Sequence, residues 1–535
     1  MPSVERSDNG RPTVSCRRHP ARVPKLPAVT AYRVLGTAGA AILACAGWAA
    51  GALPVHQPDT PLWLIHWRDH SRPALLGGYL GLTLLTVAWW WAGRELQRHG
   101  GVDRRSLLTT LALWSSPLLL GPPLFSRDVY SYLAQGSMVL TDIDVYRFGV
   151  SRLGGRLAAE VPAMWQHTPA PYGPLFLGLA AVVAGLVGTK VTVGILGMRL
   201  LALAGVGLLV VFLPRLARHC GVPPMAALWL GVLNPLVPLH LIAGAHNEAV
   251  MLGLLVPGLC LAFERRFVLA TVLVTLAALV KAPAVAGLLV VVSLWAPYRL
   301  GGLAALRAGG VMAALRAGGV MAALRAGVPA LLGTAAIAAV TTAAVSAVTG
   351  IGYGWLAALS TPISKHSWSL SSALGRGSTA LLEALGVEAG EAPMRFWLWA
   401  GLLAALGTAA FAWWHRHRLG PAYALGLALA AVALLGPATR PWYGLWGLVP
   451  LAASAPPGRV RGLVAAGATA LAFVTMPDGF GPDGDKFLLA VAGVLLGVVA
   501  VLLVLATRAH PRALPGGIAA PLPERIAAPL PGTPR

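Results

Sequence analysis

Apolar stretches about 20 residues long recur along this chain, parted by short polar breaks in which arginine and proline concentrate. They fall at roughly 31 to 53, 74 to 93, 106 to 125, 193 to 213, 225 to 243, 249 to 263, 267 to 281, 283 to 297, 328 to 349, 396 to 414, 421 to 438, 441 to 456, 462 to 476 and 487 to 507. The pattern predicts an all-α, polytopic helical membrane protein with about 14 transmembrane helices. One stretch, 173 to 189, is short and contains glycine. It could cross, or return to its own side as a re-entrant or interfacial segment.

Composition agrees with the pattern: 57% of the 535 residues are hydrophobic and 11% are charged, with a mean hydropathy of +0.71. No large soluble domain fits between the runs. A net charge of +22 would suggest nucleic acid in a soluble chain. Here the arginines gather in short loops and at the N-terminus, where they set orientation, so no nucleic-acid partner is expected. If 173 to 189 does not cross, then Arg215 and Arg218, Arg265 and Arg266, Arg299 to Arg325, His415 to Arg418, and Arg459 with Arg461 all lie on the side of the N-terminal arginines. The acidic residues Asp478, Asp483 and Asp485 then fall outside. This arrangement places both termini in the cytoplasm of a multi-pass plasma-membrane protein. Residues 1–30 read as a disordered basic tail, 31–507 as the transmembrane domain and 508–535 as a disordered proline-rich tail. Cys16, Cys45, Cys220 and Cys260 have no metal or redox spacing. A nine-residue tandem repeat from Ala304 to about Gly327 reads as a duplication in a tolerant cytoplasmic loop.

The same topology gathers the unusual polar residues on the external face. Asp128, His167, His246-Asn247-Glu248, Lys281, Lys365, His366 and Arg440 all fall at external ends of spans, although they are scattered through the sequence. Taken singly, Asp128 can be a first-turn acid after a Ser126 cap, and Lys281 or Arg440 can snorkel to the headgroups. Ionisable groups in spans are functional by default, and their shared side favours a site, formed by external loops 126–172 and 350–395. Aromatic residues accompany the charges: Tyr130, Tyr132, Trp165, Tyr172, Trp442 and Tyr443. An acid, cations and aromatics suit a lipid-linked sugar, because aromatic faces stack on sugar rings and cations hold phosphate. Inverting glycosyl transfer needs one carboxylate to take the acceptor proton and positive charge to stabilise a phosphate leaving group. Asp128 is the candidate base. Arg440, Lys281, Lys365 and His366 are the candidate phosphate ligands, and Tyr130, Tyr132, His167, Tyr172, His246, Asn247, Glu248, Trp442 and Tyr443 the candidate sugar or acceptor contacts. No cofactor is called for, and no carboxylate cluster demands a metal.

These residues stand in a recognisable order: Asp128-Val-Tyr-Ser-Tyr-Leu-Ala-Gln-Gly136, Thr168-Pro-Ala-Pro-Tyr-Gly-Pro-Leu-Phe176, Asn234-Pro-Leu-Val, Gly244-Ala-His-Asn-Glu-Ala249, Val280-Lys-Ala-Pro283, Leu359-Ser-Thr-Pro362 and Pro441-Trp-Tyr-Gly-Leu-Trp446. Over about Leu107 to Ala455 the chain resembles the polyprenol-phosphate-mannose-dependent alpha-1,6-mannosyltransferases of actinobacterial lipomannan synthesis. The resemblance implies a GT-C-class membrane enzyme with Asp128 at the catalytic position, a polyprenyl-phosphate-mannose donor and a glycolipid or mannan acceptor. It departs from the family at Asp142-Ile-Asp-Val-Tyr146 and at Glu248, where Asp is usual, which bears on acceptor choice. Two other classes share some of these features. A secondary transporter or lipid flippase would also carry intramembrane charge, but it predicts paired interrupted segments that this chain lacks. A protein O-mannosyltransferase would keep the chemistry and change the acceptor.

Overall fold

The computed structural model describes residues 28–56, 70–99, 102–299, 310–360, 369–388, 390–481 and 484–509. Residues 28–498 form one compact unit that contains everything discussed below; of the second unit, 1–27 with 499–535, only the end of the last helix is described. The expected tails therefore lie almost wholly outside the described residues, as do Lys365 and His366.

Among the described residues the fold is all-α, and its helices follow the apolar runs. Six helices among the described residues are long and apolar enough to cross a membrane: Ala28–Ala50, Ser71–Arg98, Val191–His219, Gly327–Thr349, Ala392–Trp414 and Gly484–Ala506. A bent pair, Val237–Ala243 with Glu248–Phe263, makes a seventh. The other apolar helices are shorter, so the fourteen crossings expected from sequence rest on them. Residues Pro174–Val187 form one of these short helices, packed against Asp128–Leu140 and Val191–His219. The tandem repeat corrects the sequence reading: from Gly310 onward it is the first part of the helix Gly310–Thr349 rather than a loop. Its alanine, leucine, methionine and arginine are strong helix formers.

Close packing replaces the missing hydrophobic drive between spans. Where Ala28–Ala50 crosses Ser71–His99, a Cβ added at Gly39 would meet the Gly81 carbonyl oxygen at 2.5 Å, and one at Gly81 would meet that of Gly39 at 2.5 Å. Only glycine lets these backbones touch. Further along, Trp89 and Trp229 stack with ring centroids 5.0 Å apart, and each indole N–H donates to the other residue's carbonyl.

Three interruptions shape the centre. Pro235 and Pro238 lack the amide hydrogen a helix needs, and the chain there relaxes into the π-helix Val237–Ala243 before turning by 112° into Glu248–Phe263. After Phe267–Ala278, Lys281 is extended and Pro283 sits in the short 3-10 helix Ala282–Ala286. After Pro421–Leu435, Arg440 is extended ahead of the 3-10 turn Pro441–Tyr443. Each break frees backbone and side chains at depth, which a membrane protein tolerates where they are covered by protein or line a cavity. Arg199 braces the first break: its terminal nitrogens donate to the carbonyls of Leu119, Gly121 and Ala243 at 2.7, 2.7 and 2.9 Å.

Candidate functional site

Asp128 opens the helix Asp128–Leu140, with its amide donating to Ser126 Oγ at 3.1 Å. The residue before Ser126, Phe125, is fully buried and holds a positive φ of 64°, a strained conformation for a bulky side chain. Packing keeps it there and fixes how the carboxylate leaves the backbone. On the facing break, Ala245 is likewise at φ 53°, immediately before His246. Strain thus precedes both residues of a polar pair in which His246 Nε2 lies 3.8 Å from Asp128 Oδ2. His246 Nδ1 is 2.7 Å from the His240 carbonyl, which can only accept. That bond puts the proton on Nδ1 and leaves Nε2 turned to the carboxylate. Trp442 packs on the imidazole at a centroid distance of 4.0 Å.

Next to this pair sits a buried ion pair. Lys281 Nζ bonds Glu248 Oε1, and the ammonium is ringed by aromatic faces, 4.6 Å from the Tyr443 centroid, 5.6 Å from Tyr172 and 5.7 Å from Trp446. Tyr172, Tyr132 and Phe176 meet edge to face beside it. Burial, and then the Asp128 carboxylate, push the Tyr172 phenol well above its ordinary range. The Tyr172 carbonyl accepts from Tyr146 Oη at 3.0 Å, which ties the loop after Asp128–Leu140 to the site.

Three cavities meet around these residues. The first, about 60 Å³, has Asp128, Gln135, Trp165, Tyr172, Arg440 and Trp442 in its walls. The second, about 230 Å³, shares Asp128, Trp165, Arg440 and Trp442 with the first and extends to the loop at Gly479 and Phe480. The third, about 390 Å³, is an apolar groove that includes Leu402, Leu406 and Val432, with Lys281 in its wall. It touches the first cavity at Pro171, Ala438 and Tyr443. Several buried polar atoms here find no hydrogen-bond partner within the chain: both ring nitrogens of His240, His246 Nε2, both side-chain polar atoms of Asn247, and Glu248 Oε2. Such clustering marks a place built for more than packing.

Of the residues singled out from sequence, Asp128, Arg440, Tyr172, Trp442 and Tyr443 line one cavity, and Lys281 reaches the groove beside it. Others have different placements. Tyr130 is buried and donates to the Ala52 carbonyl at 2.8 Å, so its hydroxyl anchors the loop rather than facing a ligand. Glu248 is fully buried and held by Lys281, out of a sugar's reach. His246 and Asn247 are buried as well, behind Asp128 and Trp442 instead of on the cavity surface. His167 is exposed, paired with Ser151 Oγ at 3.1 Å, and lines none of the three cavities. Among the described residues, loop 350–395 contributes nothing to those walls. Sequence reading gave no role to Gln135, Arg127, Phe480 or the brace Arg199, although Gln135 stands in the Asp128–Gly136 motif and Arg199 is a lone charge within an apolar run. Among the described residues no group of three His, Cys, Asp or Glu side chains is placed to hold a metal ion.

Comparison with known proteins places this arrangement in context. A family model described as alpha-(1->6)-mannopyranosyltransferase, N-terminal domain, matches residues 33–297, and one described as MptB C-terminal domain matches residues 371–506. The chain is 35% identical to a probable alpha-(1->6)-mannopyranosyltransferase of Mycolicibacterium smegmatis, covering 89% of this chain and 87% of the relative. It is also 35% identical to alpha-(1->6)-mannopyranosyltransferase A of Mycobacterium tuberculosis, covering 84% of each. Identity to alpha-(1->6)-mannopyranosyltransferase B of Corynebacterium glutamicum is 32%, over 85% of this chain and 78% of the relative. No solved structure matches.

Proposed function

The chain belongs to the alpha-(1->6)-mannopyranosyltransferase family, and from that premise we propose that it transfers mannose with inversion from a polyprenyl-phosphate-mannose donor to a glycolipid or mannan acceptor at the external membrane face. That it is a mannosyltransferase with an all-α membrane fold follows from the family and the helices. The donor, the stereochemistry and the face are the proposal. The observation that carries it is the junction of an apolar groove, walled partly by an ammonium, with a polar cavity holding one carboxylate and one guanidinium. A hydrocarbon tail bearing an anionic headgroup matches the first, and a sugar matches the second.

In this reading the lipid tail lies in the groove beside Leu402, Leu406 and Val432, and its phosphate meets Lys281 and Arg440. Mannose occupies the cavity against Tyr172 and Trp442. The acceptor hydroxyl attacks the anomeric carbon while Asp128 takes its proton. The bond from that carbon to the phosphate oxygen breaks, and its electron pair leaves on the phosphate. The departing phosphate gains a negative charge, which the two cations stabilise most where water is excluded. Arg440 offers two parallel donors to phosphate, and lysine a point charge. As Asp128 becomes a carboxylic acid, the nearby Nε2 of His246 stands ready to accept its new O–H.

The test is to incubate membranes containing the chain with radiolabelled polyprenyl-phosphate mannose and follow the label. Transfer into glycolipid supports the proposal. Transfer into protein would make the chain a protein O-mannosyltransferase, and movement of the lipid across the bilayer without transfer would make it a carrier.

A further inference from the structure

Asp128 lines two cavities, and only one of them adjoins the apolar groove. The cavity with Gln135 and Tyr172 meets that groove at Pro171, Ala438 and Tyr443, whereas the cavity reaching Phe480 shares no residue with it. A lipid-borne donor therefore approaches from the Tyr172 side, which leaves the Phe480 side for the second substrate. Its wall is aromatic: Phe480 is 42% exposed at the cavity's rim, with Trp165 and Trp442 in the same wall. The loop that carries Phe480 is firmly built. Met476 N–H donates to the Phe480 carbonyl at 3.1 Å, and Phe480 N–H donates to Asp478 Oδ1 at 2.9 Å. Phe125 N–H donates to the Pro477 carbonyl at 2.8 Å, which fastens the loop to the strained turn before Asp128. Gly479, at φ 87°, packs so closely that a Cβ there would lie 3.1 Å from Ser126 Cα. The Arg127 guanidinium lies 5.5 Å from the Phe480 ring centroid and fixes that ring from one side.

We propose that the cavity between Trp165 and Phe480 binds the acceptor as a neutral oligomannoside, with its reactive sugar at Asp128 and the next sugars stacked on the two aromatic faces. The proposal rests on the mannosyl-transfer reading and names the substrate class that this half of the site takes. A neutral sugar presents an apolar C–H face to an aromatic ring and hydroxyls to surrounding polar groups, and this wall supplies the rings and the Asp128 carboxylate. Arg127 also lines a further basin that contains Arg72, Asp485 and Lys486.

The experiment measures acceptor binding without donor, using full-length chain in lipid nanodiscs, synthetic α-1,6-linked di- and tetramannosides, and saturation-transfer NMR titration. The tetramannoside binds more tightly than the dimannoside to the parent. Phe480→Ala raises the tetramannoside Kd about three- to tenfold, toward the dimannoside value, while Phe480→Trp retains the preference. In transfer assays the same Phe480→Ala change raises acceptor KM and leaves donor KM unchanged. Phe480 is exposed, so neither variant removes core packing. Equal affinity for the two oligosaccharides, no binding by the parent, or a length preference that survives Phe480→Ala would overturn the assignment. If binding depends on Phe480 yet no mannose is transferred from the lipid donor, the acceptor cavity stands and the donor reading fails.

Discussion

The two halves of the site are built by different means. On the side of Phe480, loops tied by backbone hydrogen bonds and a strained turn present their aromatic faces to an open cavity. On the side of Lys281, interrupted spans bury a charged pair among aromatic rings at the edge of an apolar groove. A loop wall can change a side chain at its rim with little effect on the fold. A buried ion pair cannot lose one member without leaving the other uncompensated. On the proposed roles, the Phe480 side as acceptor half should therefore tolerate substitution with altered specificity, while the Lys281 side as donor half should answer first in stability. Asp128 lies at the seam, in the walls of both cavities.

The largest effect is expected at that seam. Asp128→Asn keeps the size and the helix start but removes the base, so transfer should fall by about a hundred- to ten-thousandfold with the thermal transition unmoved. Rates near the parent's would return Asp128 to the role of a first-turn acid interacting with the helix dipole. Next comes the donor half, where Glu248→Ala leaves the Lys281 ammonium buried and unpaired. It should cost about 3–5 kcal/mol of stability, measured by unfolding in detergent. Replacing both, as Glu248→Leu with Lys281→Met, should recover most of that stability and still fail to use donor. If the single change costs nothing, the contrast between the halves collapses.

Arg440→Lys is expected to be smaller. A bidentate phosphate clamp reduced to a point charge should lose roughly ten- to a hundredfold in turnover over apparent donor affinity, whereas a residue that only snorkels would keep the parental rate. The smallest change is Tyr130→Phe. It removes one hydroxyl bond to the Ala52 carbonyl and should cost about 1 kcal/mol of stability with transfer intact. A loss of sugar affinity instead would return Tyr130 to the binding surface.

Several residues that line the cavity and its adjoining groove were legible in the sequence because membranes make charge conspicuous. Lys281 and Arg440 stand out against apolar runs, and Asp128, Tyr172 and Trp442 fall in polar motifs at their ends. Partnership was not legible. Glu248 lies 33 residues from Lys281, and nothing in that separation shows that a 112° bend brings its carboxylate to the ammonium. Placement was not legible either: Tyr130 and Tyr172 look alike in sequence, yet one hydroxyl donates to the Ala52 carbonyl and the other residue lines the cavity. Phe480 gave no signal because an aromatic in an acidic loop is ordinary until the loop folds back over Ser126. The helical repeat after Gly310 could have been read from its composition, had its arginines not suggested a loop.

The most direct test of the central claim, that Asp128 is the base at the point where two separately bound substrates meet, is equilibrium binding by Asp128→Asn with both substrates present. Purified variant in nanodiscs should hold polyprenyl-phosphate mannose and an α-1,6-tetramannoside together, each within about threefold of its parental affinity, while forming product at least about a hundredfold more slowly. Transfer at the parental rate, or loss of either substrate from the Asn variant, would contradict the account.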